Sequence, residues 1–386
     1  MASTLRQWVR VFRPVLVPNV GHLALLAAGA MTAMGVEAIS VADADFVWPQ
    51  IKFVPVALAA MVLAAVIHYR RLVPLAYPML IVIGVMLIVL LIPGVPHAFV
   101  PVRNGARRWF NLQFMMFQPS ELAKVAYVLA LAAYLRFRSN YRTFRGLLAP
   151  ALLTFVPMGL ILKEPDLGTS LVFLPVLFAM LTAAGARLKH LLAVILVGLA
   201  LMPAMYPLLE PHQKDRIMAM ISQVRGDPRY RSSIGFQGYK AMTLVGAGGV
   251  SGQGEAQAKV LVDYNALPEP QNDMIFAVIC VRWGLIGGLA VFGLNLLLIV
   301  AGLAAAGMTK DPFARLIAVG VVTIVFTQML VNIGMTVGVL PITGMTLPFI
   351  SYGGSSLVAN YLLVGLLLNV GGRRPIIMAN PSFEFE

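Results

Sequence analysis

Hydrophobic residues in this chain come in blocks of membrane-spanning length, and the polar clusters that border them recur on one side only. A helix needs about 17–25 apolar residues to cross a bilayer. Ten such stretches are read here, roughly 21–39, 51–68, 73–94, 119–135, 146–162, 167–184, 190–208, 273–302, 314–338 and 354–370. Counted from the N-terminus, they bring Gly105–Trp109, Lys163–Asp166, Gln271–Asp273 and Ser351–Gly354 to the same membrane face. The pattern predicts an all-α, polytopic transmembrane helical bundle of about ten spans, a single membrane domain over residues 1–386. Ala28-Gly29-Ala30 resembles a cleavage site, but nine further spans favour an uncleaved first helix.

The connections are uneven. One long loop, about 209–272, lies between spans seven and eight. Ile217, Met220, Ile221 and Val224 in it recur at i, i+3, i+4 and i+7, the pattern of an amphipathic helix in the membrane interface. Gly246–Gly254 follows, too rich in glycine to hold regular structure alone.

Composition agrees with this reading. Only 12% of residues are charged and the mean hydropathy is +0.85, where a soluble domain carries about 25% charged residues. A net charge of +13 would suggest nucleic acid in a soluble protein. Here the positive residues obey the positive-inside rule. Alternate short loops hold Arg6, Arg10 and Arg13; Arg70 and Arg71; Arg136, Arg138, Arg142 and Arg145; Arg187 and Lys189; Lys310 and Arg315; Arg373 and Arg374. Both termini are thereby expected in the cytoplasm, the long loop outside, and no nucleic-acid partner. The lone Cys280 excludes an intrachain disulfide, and the five His show no metal-ligand spacing.

Each polar cluster carries a chemical and a structural reading. Arg107 and Arg108 stand on the side the rule disfavours; they suit phosphate oxygens or anchor lipid headgroups beside Trp109. Gln118-Pro119-Ser120 starts a helix whose first turn holds Glu121, three residues before Lys124, at pairing distance. Lys163, Glu164 and Asp166 crowd one turn; ionisable groups at membrane depth are expensive and mark function, although Asp166 also suits a helix cap. Asp273 opens the eighth span, as a cap or as a reactive carboxylate. Ser351, Tyr352, Gly353 and Gly354 precede a helix, as an anion site or a tight turn.

Together these motifs resemble the SEDS proteins (shape, elongation, division and sporulation), polytopic glycan polymerases of the bacterial cell wall. The resemblance covers nearly the whole chain. It rests on Gly105–Trp109 leading into Phe117–Lys124, on Glu164–Thr169, on Gln237 with glycines 246–254 and Leu267–Val278, and on Asn332–Ser356. Asp166–Thr169, Asn332–Met335 and Ile342–Gly344 look closer to the rod-elongation branch, RodA, than to the division branch, FtsW. The resemblance implies a peptidoglycan glycosyltransferase that polymerises lipid II at the outer face of the cytoplasmic membrane, in cell elongation and shape. It further implies a class B penicillin-binding protein as transpeptidase partner, Asp273 as the catalytic aspartate, and a divalent cation, Mg²⁺ or Mn²⁺. Glu121, Lys124, Lys163, Glu164 and Asp166 fall on motif positions. The chain departs from the family pattern at Gln271 and Asn272, at Val281 and Arg282, and at Lys240. Arg282, nine residues beyond Asp273, is expected about 13 Å deeper along its helix, with a carboxylate or carbonyl partner and a structural role.

The chemistry fits the residues independently. A sugar hydroxyl is a weak nucleophile, so a carboxylate must take its proton as it displaces undecaprenyl pyrophosphate with inversion. The departing pyrophosphate needs positive charge, from Arg107, Arg108, Lys124, Lys163 or a cation. A lipid-II flippase, or an idle scaffold for the penicillin-binding protein, is the competing class.

Overall fold

The computed structural model describes residues 11–373 apart from 104, 114, 139–142, 209–210, 226 and 228–234. Arg6, Arg10, Arg142 and Arg374 of the positive loops lie outside the described residues. The chain is helical: α1 Val20–Ala42, α2 Val47–Val66, α3 Tyr69–Leu91, α4 Pro119–Leu135, α5 Leu148–Lys163, α6 Leu167–Ala184 and α7 Leu188–Met205. The long loop folds into α8 Pro211–Val224, α9 Phe236–Ala247 and α10 Gly254–Asn265, and α11 Ile275–Met308, α12 Pro312–Thr336 and α13 Gly354–Gly372 complete the bundle. A two-stranded ribbon, β1 Phe110–Asn111 paired with β2 Met116–Phe117, precedes α4.

A helix stands at each of the ten expected stretches, and among the described residues eight are long and apolar enough to cross a membrane. The other two differ for separate reasons. Helix α7 offers only a shorter apolar stretch, Leu188–Leu201. Helix α4 has 17 residues and is buried almost throughout, so it is the shaft on which α3, α5, α6, α12 and α13 pack. Close approach depends on small residues, as expected where lipid removes the hydrophobic drive between helices. A Cβ at Gly365 would come 2.4 Å from the Met61 carbonyl, and one at Gly35 would come 2.5 Å from that of Ile350.

Helix α11 holds the main departure from the sequence reading. Its 34 residues would span about 51 Å if straight, well beyond a hydrocarbon core of about 30 Å. It breaks at Gly284, whose φ of 66° lies in left-handed space. The glycine run mends the break. Gln253 donates its N–H to the Val281 carbonyl at 2.9 Å, while Leu285 and Ile286 donate to the carbonyls of Gly249 and Val250. Only glycine fits there: a Cβ at Gly248 would lie 1.9 Å from the Cys280 oxygen, and one at Gly252 2.1 Å from the Arg282 oxygen.

Arg282 sits beside this break. It donates to the Glu37 carbonyl, to Glu37 Oε2 at 3.1 Å and to Glu255 Oε2 at 3.0 Å, and lies over the Trp283 ring. The expected carboxylate and carbonyl partners are present. One of them belongs to α10 of the long loop, so Arg282 stands at the level of that loop rather than deep in an apolar span.

Candidate functional site

Two structural decisions create the site. The first is the start of α4, where Pro119 occupies the first turn and Gln118 the cap. Ser120 Oγ and Gln118 Nε2 each donate to Asp166 Oδ2 at 3.2 Å, while the Thr169 N–H donates to Asp166 Oδ1 at 3.1 Å. Asp166 therefore caps α6 and ties it to α4 at once. One turn into α4, Lys124 Nζ and Glu121 Oε2 form a buried ion pair at 2.9 Å. The second decision is the segment between α12 and α13, which runs without helix through the protein interior. Non-helical backbone at membrane depth is tolerated only when protein satisfies it. Ser351 Oγ accepts the Leu347 N–H, Gln50 Nε2 donates to the Ser351 carbonyl, Gln50 Oε1 accepts the Gly353 N–H, and Tyr352 donates its N–H to the Gln271 carbonyl.

Asp273 joins these two parts. Asn332 Nδ2 donates to the carbonyls of Asp273 and of Met345, both at 2.7 Å, and so fastens the aspartate's main chain to the buried segment. The cap of α11 is Met274 rather than Asp273. Gly344, at φ +74°, brings the segment so close that a Cβ there would lie 4.0 Å from Asp273 Oδ2.

A cavity of about 570 Å³ opens between the parts, well within the range of small-molecule sites. Of the residues singled out in the sequence, Arg108, Glu121, Asp166, Gln237, Asp273, Tyr352, Gly353 and Gly354 line it. The remaining candidates stand apart for identifiable reasons. Arg107 turns the other way and donates to the carbonyls of Ile92 and Val95 at the C-terminus of α3, where a cation also complements the helix dipole. Lys163 is exposed off the cavity wall. Lys124 is buried behind Glu121, and Ser351 is committed to Leu347. Of the positions departing from the family pattern, Asn272 lines the cavity beside Glu269, whose Oε2 it reaches at 2.7 Å. Lys240 lies instead over the Phe236 ring.

Arg108 does two things. It lines the cavity, and it donates to the carbonyls of Glu164 and Pro165, holding the turn between α5 and α6. Behind that turn the Glu164 carboxyl is 1% exposed, and neither oxygen has a hydrogen-bond partner among the described residues. Burial first, and the neighbouring Asp166 charge second, push its pKa up to about 9, against the pull of Arg108. Glu164 is thus a neutral acid at physiological pH.

The cavity also has members that the sequence reading missed: Arg103, Glu269, Gln328 and Thr346 among them. For Gln328 the signal was available, a polar amide inside an apolar span one turn before Asn332. Glu269 lies within the Leu267–Val278 motif but in an irregular stretch, where no periodicity says which way it faces.

Comparisons with known proteins agree with this architecture. The FtsW, RodA and SpoVE family model, described as a cell cycle protein, matches residues 15–374. The chain is 36% identical over 319 residues to the probable peptidoglycan glycosyltransferase FtsW of Geobacter metallireducens, covering 82% of each chain. It is similar to a chain of a solved peptidoglycan synthase complex in which polymerization and crosslinking are coordinated, with TM-score 0.77 and 31% identity over 90% of this chain and 96% of that one. It is also similar to the crystal structure of the rod shape determining protein RodA of Thermus thermophilus, with TM-score 0.64 and 30% identity over 92% and 97% of the two chains.

Proposed function

The chain belongs to the SEDS family of FtsW, RodA and SpoVE proteins and is a peptidoglycan glycosyltransferase; on that premise we propose that Asp273 is the general base of lipid II polymerisation in this cavity. The acceptor sugar's hydroxyl attacks the anomeric carbon of the donor, and Asp273 takes the hydroxyl proton as the C–O bond forms. The bond from that carbon to undecaprenyl pyrophosphate breaks, with inversion. One observation carries the reading: residues from all four sequence motifs, Arg108 and Glu121, Asp166, Asp273, and Tyr352, line one cavity beside a segment that fastens the Asp273 backbone.

The leaving group needs positive charge, and the cavity is short of it. Glu121 and Lys124 neutralise each other, which leaves Asp166, Glu269 and Asp273 against Arg103 and Arg108 among the lining residues. That imbalance suits a divalent cation such as Mg²⁺ or Mn²⁺, which binds proteins through one or two carboxylates together with substrate phosphates. Among the described residues no three His, Cys, Asp or Glu side chains group to hold a metal alone, so a lining carboxylate would hold it only jointly with the substrate. Its chemistry would be neutralisation of the pyrophosphate charge. Arg108 would meet the phosphates through Nη1, its Nε and Nη2 being held by the carbonyls of Glu164 and Pro165.

The protein is a multi-pass membrane protein of the bacterial inner membrane. The cavity opens on its outer side, by the positive-inside argument, and both termini lie in the cytoplasm. A class B penicillin-binding protein is the partner, supported by the likeness to a synthase complex that couples polymerization to crosslinking. The branch is the elongation one, on the motif residues named above and on the structural likeness to RodA at 30% identity, while an FtsW-named relative is 36% identical.

The test is glycan polymerisation from lipid II by the purified protein with its partner. Asp273→Asn should retain assembly and lose activity by about 10²–10⁴-fold. Wild-type rates in that variant would remove Asp273 from the mechanism.

A further inference from the structure

Gln328 lines the cavity and is 1% exposed, yet among the described residues its amide oxygen is buried with no hydrogen-bond partner. Buried amides are nearly always paired, because leaving one unpaired forfeits the hydration it had in water. Its neighbour also leaves its amide oxygen unpaired but puts its amide nitrogen to structural use. Asn332 lies one helical turn later on the same face of α12 and bonds the carbonyls of Asp273 and Met345. Gln328 holds nothing in place. Its position is structurally idle, and it faces the space where a substrate goes.

We infer that Gln328 is a recognition residue for the acetamido group of an amino sugar. This inference rests on the glycosyltransferase reading above, since peptidoglycan strands consist of N-acetylated amino sugars. A primary amide presents one acceptor and two donors, the complement of a secondary amide's N–H and C=O. Part of the lining is uncharged: Met345, Thr346 and Ser356 belong to the same cavity, and Thr346 Oγ1 lies 3.3 Å from Ser356 Oγ. The arginines and carboxylates come from other elements. The amide itself offers a pyrophosphate no charge, whereas an acetamido group finds in it both an acceptor and donors for its polar atoms. The position also suits the reaction. Gln328 lies one turn from the residue that fastens Asp273, so an amino sugar anchored there is held near the base.

The test is binding, measured on the Asp273→Asn protein with its partner so that no turnover interferes. Two ligands are compared: lipid II, and its counterpart in which a hydroxyl replaces each sugar acetamido group. With Gln328 intact, the acetylated ligand should bind about tenfold or more tightly than its counterpart, because losing it leaves a buried amide unpaired. Gln328→Leu should weaken lipid II about tenfold and bind both ligands alike. Gln328→Met, closer in shape, serves if the leucine variant is not monodisperse. Undiminished preference for the acetylated ligand in the substituted protein overturns the inference, as does equal binding of both ligands when Gln328 is intact. Failure of the catalytic reading is separate. Wild-type polymerisation by Asp273→Asn would remove the base and leave a Gln328-dependent preference standing. Polymerisation lost with Asp273 but blind to Gln328 would do the reverse.

Discussion

The two ends of the bundle treat their polar groups in opposite ways. At one end, Asp311 accepts from the Phe313 N–H and thereby caps α12, from Arg70 Nε at 3.0 Å and from the Tyr69 hydroxyl. Beside it Asn369 donates to the carbonyls of Ala64 and Ile67, and Arg373 to that of Val66, closing the C-terminus of α2. Each of these groups finishes a helix end, which is the obligation a helix terminus imposes. At the other end lie Glu164, Gln328, Asn332 and Asn360, each with a buried oxygen that has no partner among the described residues; Asn295 and His190 are the comparable atoms elsewhere. Unpaired buried polar atoms cost stability. Gln328 lines the cavity and Asn332 fastens the Asp273 backbone beside it, so part of this lost stability falls at the site, whereas the groups at the Asp311 end finish helices.

The strongest way to break this contrast is to remove one carboxylate charge at each end. Asp273→Asn should abolish polymerisation and leave the melting midpoint nearly unchanged. Asp311→Asn should do the opposite: weaker thermal stability, with activity per folded molecule within about twofold, because Asn still caps a helix but no longer pairs with Arg70. If Asp311→Asn proved as inactive as Asp273→Asn while remaining folded, the division of labour between the ends would be wrong.

The buried pair at the cavity wall sharpens the point. Lys124→Met leaves the Glu121 carboxylate buried without its partner at 2.9 Å. Breaking a buried pair on one side costs about 3–5 kcal/mol, whereas replacing both partners with apolar groups is close to neutral. Thermal or denaturant unfolding should therefore show Lys124→Met far less stable than the double variant Glu121→Leu with Lys124→Met. Equal losses in both would mean that the pair is not what holds this wall.

Glu164 gives the contrast a pH dependence. Its pKa rises from an ordinary 4.5 to about 9 in the fold, with burial as the first cause. Above about pH 4.5 the unfolded chain releases this proton while the folded one keeps it, so stability falls as pH rises from 4.5 to 9. Glu164→Gln removes the proton from the balance. Its melting midpoint should exceed that of the wild type at pH 8, and its decline between pH 5 and 9 should be shallower. An unchanged slope would show that Glu164 is ionised in the folded protein.

How much of this was legible in the sequence differs from one residue to the next, and the reasons are physical. The common side of the polar clusters was readable because span parity needs only helix lengths. Arg107 and Arg108 show the limit. Adjacent residues in an extended stretch point opposite ways, so one caps α3 while the other lines the cavity, and the phosphate and structural readings each hold for one of them. The sequence has no term for which is which. The break at Gly284 was hidden because the apolar pattern runs through it. What marked it was the distant glycine run, whose purpose is visible only when its backbone lies against residues 280–286. Gln328 was readable as an anomaly but not as a member of the site, because only folding shows that its amide oxygen is unpaired.

The smallest expected effect belongs to Arg282, and it tests whether the break in α11 is a fixed joint or a part of the chemistry. Arg282 joins α1 through Glu37 and α10 through Glu255, but both carboxylates are largely exposed, at 61% and 66% of their side chains. Exposed pairs of this kind contribute about 0.2–1 kcal/mol each. The break has its own backbone bonds from Gln253, Leu285 and Ile286, and Arg282 is not among the residues lining the cavity. Arg282→Leu should therefore lower the melting midpoint by about 1–4 °C and leave polymerisation within about twofold. Removing Arg282 leaves two solvated acids rather than a buried orphan, which is why the penalty stays small. A variant that melts like the wild type yet fails to polymerise lipid II would show that the joint reaches the cavity, and that stability and chemistry are not as separate along α11 as they are between the two ends.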